Sequence, residues 1–113
     1  MKNWEDFWLV KASIGTRSKR QLTPLKVKMR YVYLLKSNKT KLWYTGSTND
    51  LRKRILRHNS GKNISTKHGI PWKLIYYESS IHVKDARARE RYLKSGMGKR
   101  YLKNRLKFFF RDF

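Results

Sequence analysis

The chain has 113 residues, with 29 Lys and Arg against 7 Asp and Glu, a formal net charge of +22 and a hydrophobic share of 39%. That length supports one domain with a single modest core, and the absence of cysteine excludes disulfides and thiolate zinc sites. No apolar run approaches the roughly 18 residues of a membrane span, and the first residues lack a signal-peptide hydrophobic block, so a soluble, cytoplasmic chain with no membrane association is expected.

The excess of basic residues calls for a polyanionic partner, and nucleic acid comes first because contacts between Lys or Arg and phosphate release condensed counterions. Residues 1–28 carry a small apolar cluster (Trp4, Phe7, Trp8, Leu9, Val10) followed by a basic run containing Pro24. They show no sustained period, so they are expected to form a weakly structured basic extension, with a short packed helix from Trp4 to Lys11 as the alternative. The compact domain is expected over 29–113.

Tyr31 to Leu35 reads Tyr-Val-Tyr-Leu-Leu and predicts a buried or half-buried strand. Period two puts Tyr31, Tyr33 and Leu35 on one face, and Val32 and Leu34 on the other. After the polar turn Ser37-Asn38-Lys39-Thr40, the run from Leu42 to Thr45 predicts an antiparallel partner strand. Tyr33 and Tyr44 can then approach across the ladder. Gly46 ends that strand. Ser47, Thr48 and Asn49 offer caps for a helix over 49–59, with Asp50 in its positive first turn and Gly61 as its terminator. At 100° per residue, Leu51, Arg54, Ile55 and His58 share one arc, whereas Lys53 and Arg57 point elsewhere.

Residues 61–70 form a basic polar loop in which Lys62 and Lys67 either touch a phosphate backbone or stay solvated. Pro71 to Glu78 predicts a third strand suited to the sheet centre, and His82 a surface or capping residue. Val83 to Ser95 reads as a second helix with Val83, Ala86 and Leu93 on its apolar stripe. Glu90 falls within that stripe, and a carboxylate there needs a partner, either an arginine or a divalent metal. Asp85 lies about 140° around the helix, which disfavours a two-carboxylate site. Ser95 to Gly98 is expected to break the helix. A further helix over 99–109 follows, with Tyr101, Leu102, Leu106 and Phe108 for packing and Asn104 at its edge. The Phe108-Phe109-Phe110 run is expected as core or apolar tail rather than a base-stacking platform.

Tyr31-Val32-Tyr33 and Tyr44-Thr45-Gly46, with Arg54 and His58 ten and fourteen residues after Tyr44 and Glu90 beyond them, resemble the GIY-YIG endonuclease superfamily over about Met29 to Lys107. The likeness is greatest to small stand-alone bacterial members similar to the nuclease domain of the excision-repair incision subunit. Tyr31 stands where the first motif has glycine, Thr45 where the second has isoleucine, and Ser47 where some members carry lysine. The resemblance implies a small α/β (α+β) domain, a three-stranded antiparallel sheet flanked by helices. It also implies hydrolysis of phosphodiester bonds in DNA, structure-selective in repair or recombination, with one Mg²⁺ or Mn²⁺ and no small-molecule cofactor. On that reading Glu90 holds the metal and Tyr33 is the general base. Arg54 clamps the phosphate, Tyr44 positions water or phosphate, and His58 orients Tyr33 or relays its proton. Lys53, Arg57, Lys62, Lys67 and Asn104 are candidate nucleic-acid contacts. A non-catalytic nucleic-acid-binding protein on the same scaffold is the competing expectation.

Overall fold

The computed structural model describes residues 28–113, so the expectations for the N-terminal extension, including a helix from Trp4 to Lys11, lie outside the described residues. Strand β1 (Arg30–Ser37), β2 (Trp43–Thr48) and β3 (Trp72–Ser80) form an antiparallel sheet of order β2-β1-β3. Helix α1 (Leu51–Asn59) links β2 to β3 through a short 3₁₀ turn at Lys67–Gly69. Helices α2 (Val83–Lys94), α3 (Gly96–Arg105) and α4 (Lys107–Asp112) complete the chain.

Strand β1 is the centre of the sheet, a place the composition of β3 had suggested for β3 itself. The reason is in β1's own side chains: Val32, Tyr33, Leu34 and Leu35 are all buried, so both of its faces are covered. Val32 and Leu34 pack with Ala86, Leu93 and Leu102 from α2 and α3. Tyr33 and Leu35 pack with Trp72 on the other face, where Tyr44, Leu51, Ile55, Ile70 and Leu74 close around them. The period-two division of β1 therefore holds. Each fully buried leucine contributes roughly 1.5–3 kcal/mol of transfer free energy.

The helix ends differ in detail from expectation. Asp50 itself caps α1, its carboxylate accepting from the Lys53 N–H at 3.1 Å, because Ser47 and Thr48 still belong to the strand. His82, in agreement with expectation, caps α2 by accepting from the Lys84 N–H at 3.0 Å. Ser95 ends α2 and caps α3, accepting from the Gly98 N–H at 3.1 Å. Hence Gly96 and Gly98 lie within a helix rather than in a break, and the predicted final helix divides into α3 and α4 at Leu106. Gly98 is where α3 crosses α2, and a Cβ there would overlap the Tyr92 carbonyl. Val83 and Phe108, expected in the packing, are exposed. Phe110 stacks on Trp43 with ring centroids 4.9 Å apart, which makes this part of the aromatic run sheet cover.

One polar clamp fixes α2 on β3. Arg89 Nε donates to Glu78 Oε1 at 2.6 Å and Nη2 to Oε2 at 3.3 Å, while the Tyr76 hydroxyl donates to the same carboxylate at 2.7 Å. The Arg89 guanidinium also lies 4.8 Å from the Tyr101 ring centroid, and the carboxylate beside it raises its pKa further. Glu90 is the next residue, so this clamp helps set its position.

Candidate active site

Tyr33 enters from the middle of β1 and is 1% exposed. Its register partner on β2 is Gly46, and a Cβ at that position would stand 2.6 Å from the Tyr33 hydroxyl oxygen. The glycine leaves the space that the phenol occupies. Tyr44 lies two residues earlier on β2, on the same face and diagonal to Tyr33, with ring centroids 6.3 Å apart.

Helix α1 contributes the next two groups. His58 is fully buried and Arg54, one turn earlier, is half-buried, whereas Lys53 and Arg57 are exposed, as the helical arc predicts. The Tyr33 hydroxyl and His58 Nε2 are 2.7 Å apart, and the His58 ring lies 4.8 Å from that of Tyr44. On its far side, His58 Nδ1 is 2.8 Å from Thr66 Oγ1. Thr66 is buried, and its hydroxyl is directed toward the Asn63 carbonyl at 3.4 Å.

This chain has a preferred direction. Burial and the neighbouring Tyr44 push the Tyr33 phenol up to about 12, with Arg54 acting in the opposite sense and the Glu90 carboxylate adding slightly to the rise. The phenol is thus protonated near neutrality and donates. Burial, with Arg54 and Arg57 nearby, lowers the His58 pKa, so its imidazole is neutral and accepts at Nε2. Nδ1–H then donates to Thr66. The result is an oriented path from Tyr33 through His58 to Thr66.

Thr66 is a functional candidate that the sequence reading missed, since residues 61–70 read there as a polar loop. Its one local signal is its spacing of eight residues from His58, and a loop carries no period that could turn this into a contact. The loop is held by Trp72, whose indole N–H donates to the Thr66 carbonyl at 2.6 Å, and by Asn59, which bonds the Trp72 backbone at 2.6 and 3.0 Å.

Glu90 is half-buried on α2, its side chain 21% exposed, and its ion-pair partner is Lys94 at 3.0 Å rather than the arginine considered from sequence. No group of three His, Cys, Asp or Glu side chains among the described residues converges as a metal cage. A single carboxylate does suit Mg²⁺, a hard cation commonly held by one or two carboxylates, water and substrate phosphates. The donor set therefore fits a metal bound largely through substrate. Lys62 and Lys67 are exposed on the loop after α1, and Asn104 is exposed on α3.

Residues 29–107 match the GIY-YIG catalytic domain. UPF0213 protein CPE1444 of Clostridium perfringens is similar, 45% identical over 67 residues that make up 58% of this chain and 71% of that protein. UPF0213 protein SpyM50708 of Streptococcus pyogenes is 44% identical over 52 residues, 45% of this chain and 55% of that protein, so the chain spans about half the length of this relative. No solved structure matches significantly.

Proposed function

The chain belongs to the GIY-YIG catalytic domain family, a nuclease family, and on that premise we propose that it is a metal-dependent endonuclease cleaving phosphodiester bonds in DNA. The observation that carries the reading is the 2.7 Å contact between the Tyr33 hydroxyl and His58, with Thr66 behind the imidazole and Arg54 beside the phenol. A module that only binds nucleic acid needs positive charge. It has no need of a buried phenol aligned with a neutral imidazole.

In the proposed reaction Tyr33 is the general base. A phenol held near 12 does not ionise by itself at neutral pH, so its proton must have somewhere to go, and His58 Nε2 is the acceptor in contact with it. A proton of the attacking water moves to the Tyr33 oxygen as the hydroxyl proton moves to His58. The water oxygen bonds to phosphorus, and one ester oxygen leaves with the electrons of the broken P–O bond. Arg54 offers a planar guanidinium to the scissile phosphate and lowers the Tyr33 pKa. Tyr44 positions the water or the phosphate. Glu90 would hold Mg²⁺ or Mn²⁺, which supplies charge neutralisation on the phosphate and the leaving oxygen when bound.

The test is cleavage of nicked, branched and plain duplex DNA with and without Mg²⁺. Cleavage by the natural protein is expected with the metal alone. Tyr33→Phe, which keeps the ring and removes the proton path, is expected to lower the rate by roughly 10²–10⁴-fold, and Glu90→Ala to abolish the metal-dependent cleavage. DNA binding without metal-dependent cleavage of any of these substrates would sink the proposal.

A further inference from the structure

A second concave surface adjoins the candidate site at Tyr44. It is a cavity of about 580 Å³, with Trp43 and Tyr44 of β2 on its wall and Lys41, Lys94, Lys99 and Lys103 around it. The four lysines come from three segments: the β1–β2 turn, the last turn of α2, and successive turns of α3. Lys99 and Lys103 are four residues apart and so lie on one helical face, where like charges repel. Lys41 adopts φ 66°, a left-handed conformation that side chains other than those of Gly, Asn and Asp seldom take. Among the described residues, the carboxylate paired with any of these lysines is Glu90, through Lys94 at 3.0 Å. Unlike cations spread for solubility, these are gathered into one hollow against their mutual repulsion.

We propose that Lys41, Lys94, Lys99 and Lys103 hold the sugar–phosphate backbone of a nucleic-acid strand next to the scissile phosphate, an extension of the site that rests on the nuclease reading. The groove shares a wall, Tyr44, with the tyrosine–histidine pair, and it shares the Lys94–Glu90 ion pair with the candidate metal ligand. A strand lying there is continuous with the reacting phosphate. The chemistry of the lining also fixes the kind of contact. Ammonium groups are compact point charges suited to phosphate oxygens, and they lack the planar fork with which arginine reads base edges. The groove supplies affinity and register, and it carries no sequence preference.

The experiment measures binding of the full chain to a short fluorescein-labelled single strand and to a duplex, in EDTA, as a function of salt. For the double variant Lys99→Gln, Lys103→Gln, the slope of log K against log salt is expected to become shallower by about 1.4 on a single strand and about 1.8 on a duplex. The loss should be equal for strands of unrelated sequence. Lys28→Gln with Lys84→Gln removes the same charge from exposed positions outside the groove, and should shift the slope by much less than one unit. Lys41→Gln, in a different segment, provides an independent variant with an expected shift of about 0.7 to 0.9. Unchanged slopes in the groove variants, or an equal shift in the control pair, would overturn the proposal. Unchanged slopes together with Mg²⁺-dependent cleavage would remove the groove and leave the nuclease reading standing. A shallower slope in a protein that never cleaves would keep the groove as a binding site and remove the nuclease.

Discussion

At the scale of single residues, burial makes both Tyr33 and His58 titrate abnormally, with Tyr44 adding to the shift of the first and Arg54 and Arg57 to that of the second, and this makes the fold sensitive to pH at two ends. His58 has a lowered pKa in the folded protein, so on acidification the unfolded chain takes up the proton first. Its contribution is fully present above the ordinary histidine value of about 6.5 and is lost as pH falls through the folded value, with a slope of at most about 1.4 kcal/mol per pH unit. Tyr33 acts in the opposite sense. Its folded pKa is raised to about 12, so the unfolded chain ionises first above pH 10 and stability falls between 10 and 12. Thermal unfolding of the natural protein and of His58→Gln, followed from pH 7.5 downward, isolates the histidine. The natural protein is expected to lose stability relative to the variant below about pH 6.5; parallel curves would show that His58 carries no such linkage.

Among the elements, β2 and α1 serve mainly to shape the space around β1. Gly46 shows this most directly, because a methyl group there would stand 2.6 Å from the Tyr33 hydroxyl. Gly46→Ala is expected to push the phenol away from His58, lowering cleavage at least tenfold and stability by about 1–3 kcal/mol, the usual range for overpacking. Gly96 provides the comparison within the same fold, since nothing lies within 4 Å of a Cβ built there and the residue sits in the first turn of α3. Gly96→Ala should leave activity unchanged and stabilise by up to about 1 kcal/mol. Equal effects of the two substitutions, in chemical denaturation and cleavage assays, would refute a specific role for the space beside Gly46. Residues 61–70 illustrate a limit of reading elements from sequence. A loop lacks a period, and the position of Thr66 follows from contacts made by Trp72 and Asn59.

For the whole molecule, charge dominates. The formal net charge is +22, and the described residues contain ion pairs at Arg89–Glu78, Lys94–Glu90 and Arg111–Asp112. Most of the cations are therefore uncompensated within the fold, and self-repulsion opposes the compact state. Raising the salt concentration shortens the Debye length to about 3 Å at 1 M and should screen that repulsion. The melting temperature is expected to rise by on the order of 5 °C between low and high sodium chloride, equivalent to about 1 kcal/mol for a domain of this size. A constant or falling melting temperature would contradict this balance. The same salt weakens nucleic-acid binding, so stability and affinity should respond to it in opposite directions. No helix among the described residues is long and apolar enough to cross a membrane.

By itself the sequence determined the three strands, the two faces of β1, the inward edge of α1, and the grouping of Tyr33, Tyr44, Arg54, His58 and Glu90 as candidates; the family match over 29–107 contains the stretch those motifs span. These features depend on local periodicity and on short-range spacing, which a chain displays before it folds. Tertiary structure decided that β1 is central, that Glu90 pairs with Lys94, that Thr66 backs His58, and that Lys41, Lys94, Lys99 and Lys103 share one groove. The sheet order and the groove join segments distant in the chain, and the Thr66–His58 contact spans only eight residues but runs through an aperiodic loop. The Lys94 side chain could equally have turned to solvent, and only the packing of α2 beside β2 and α3 fixed where its charge lies.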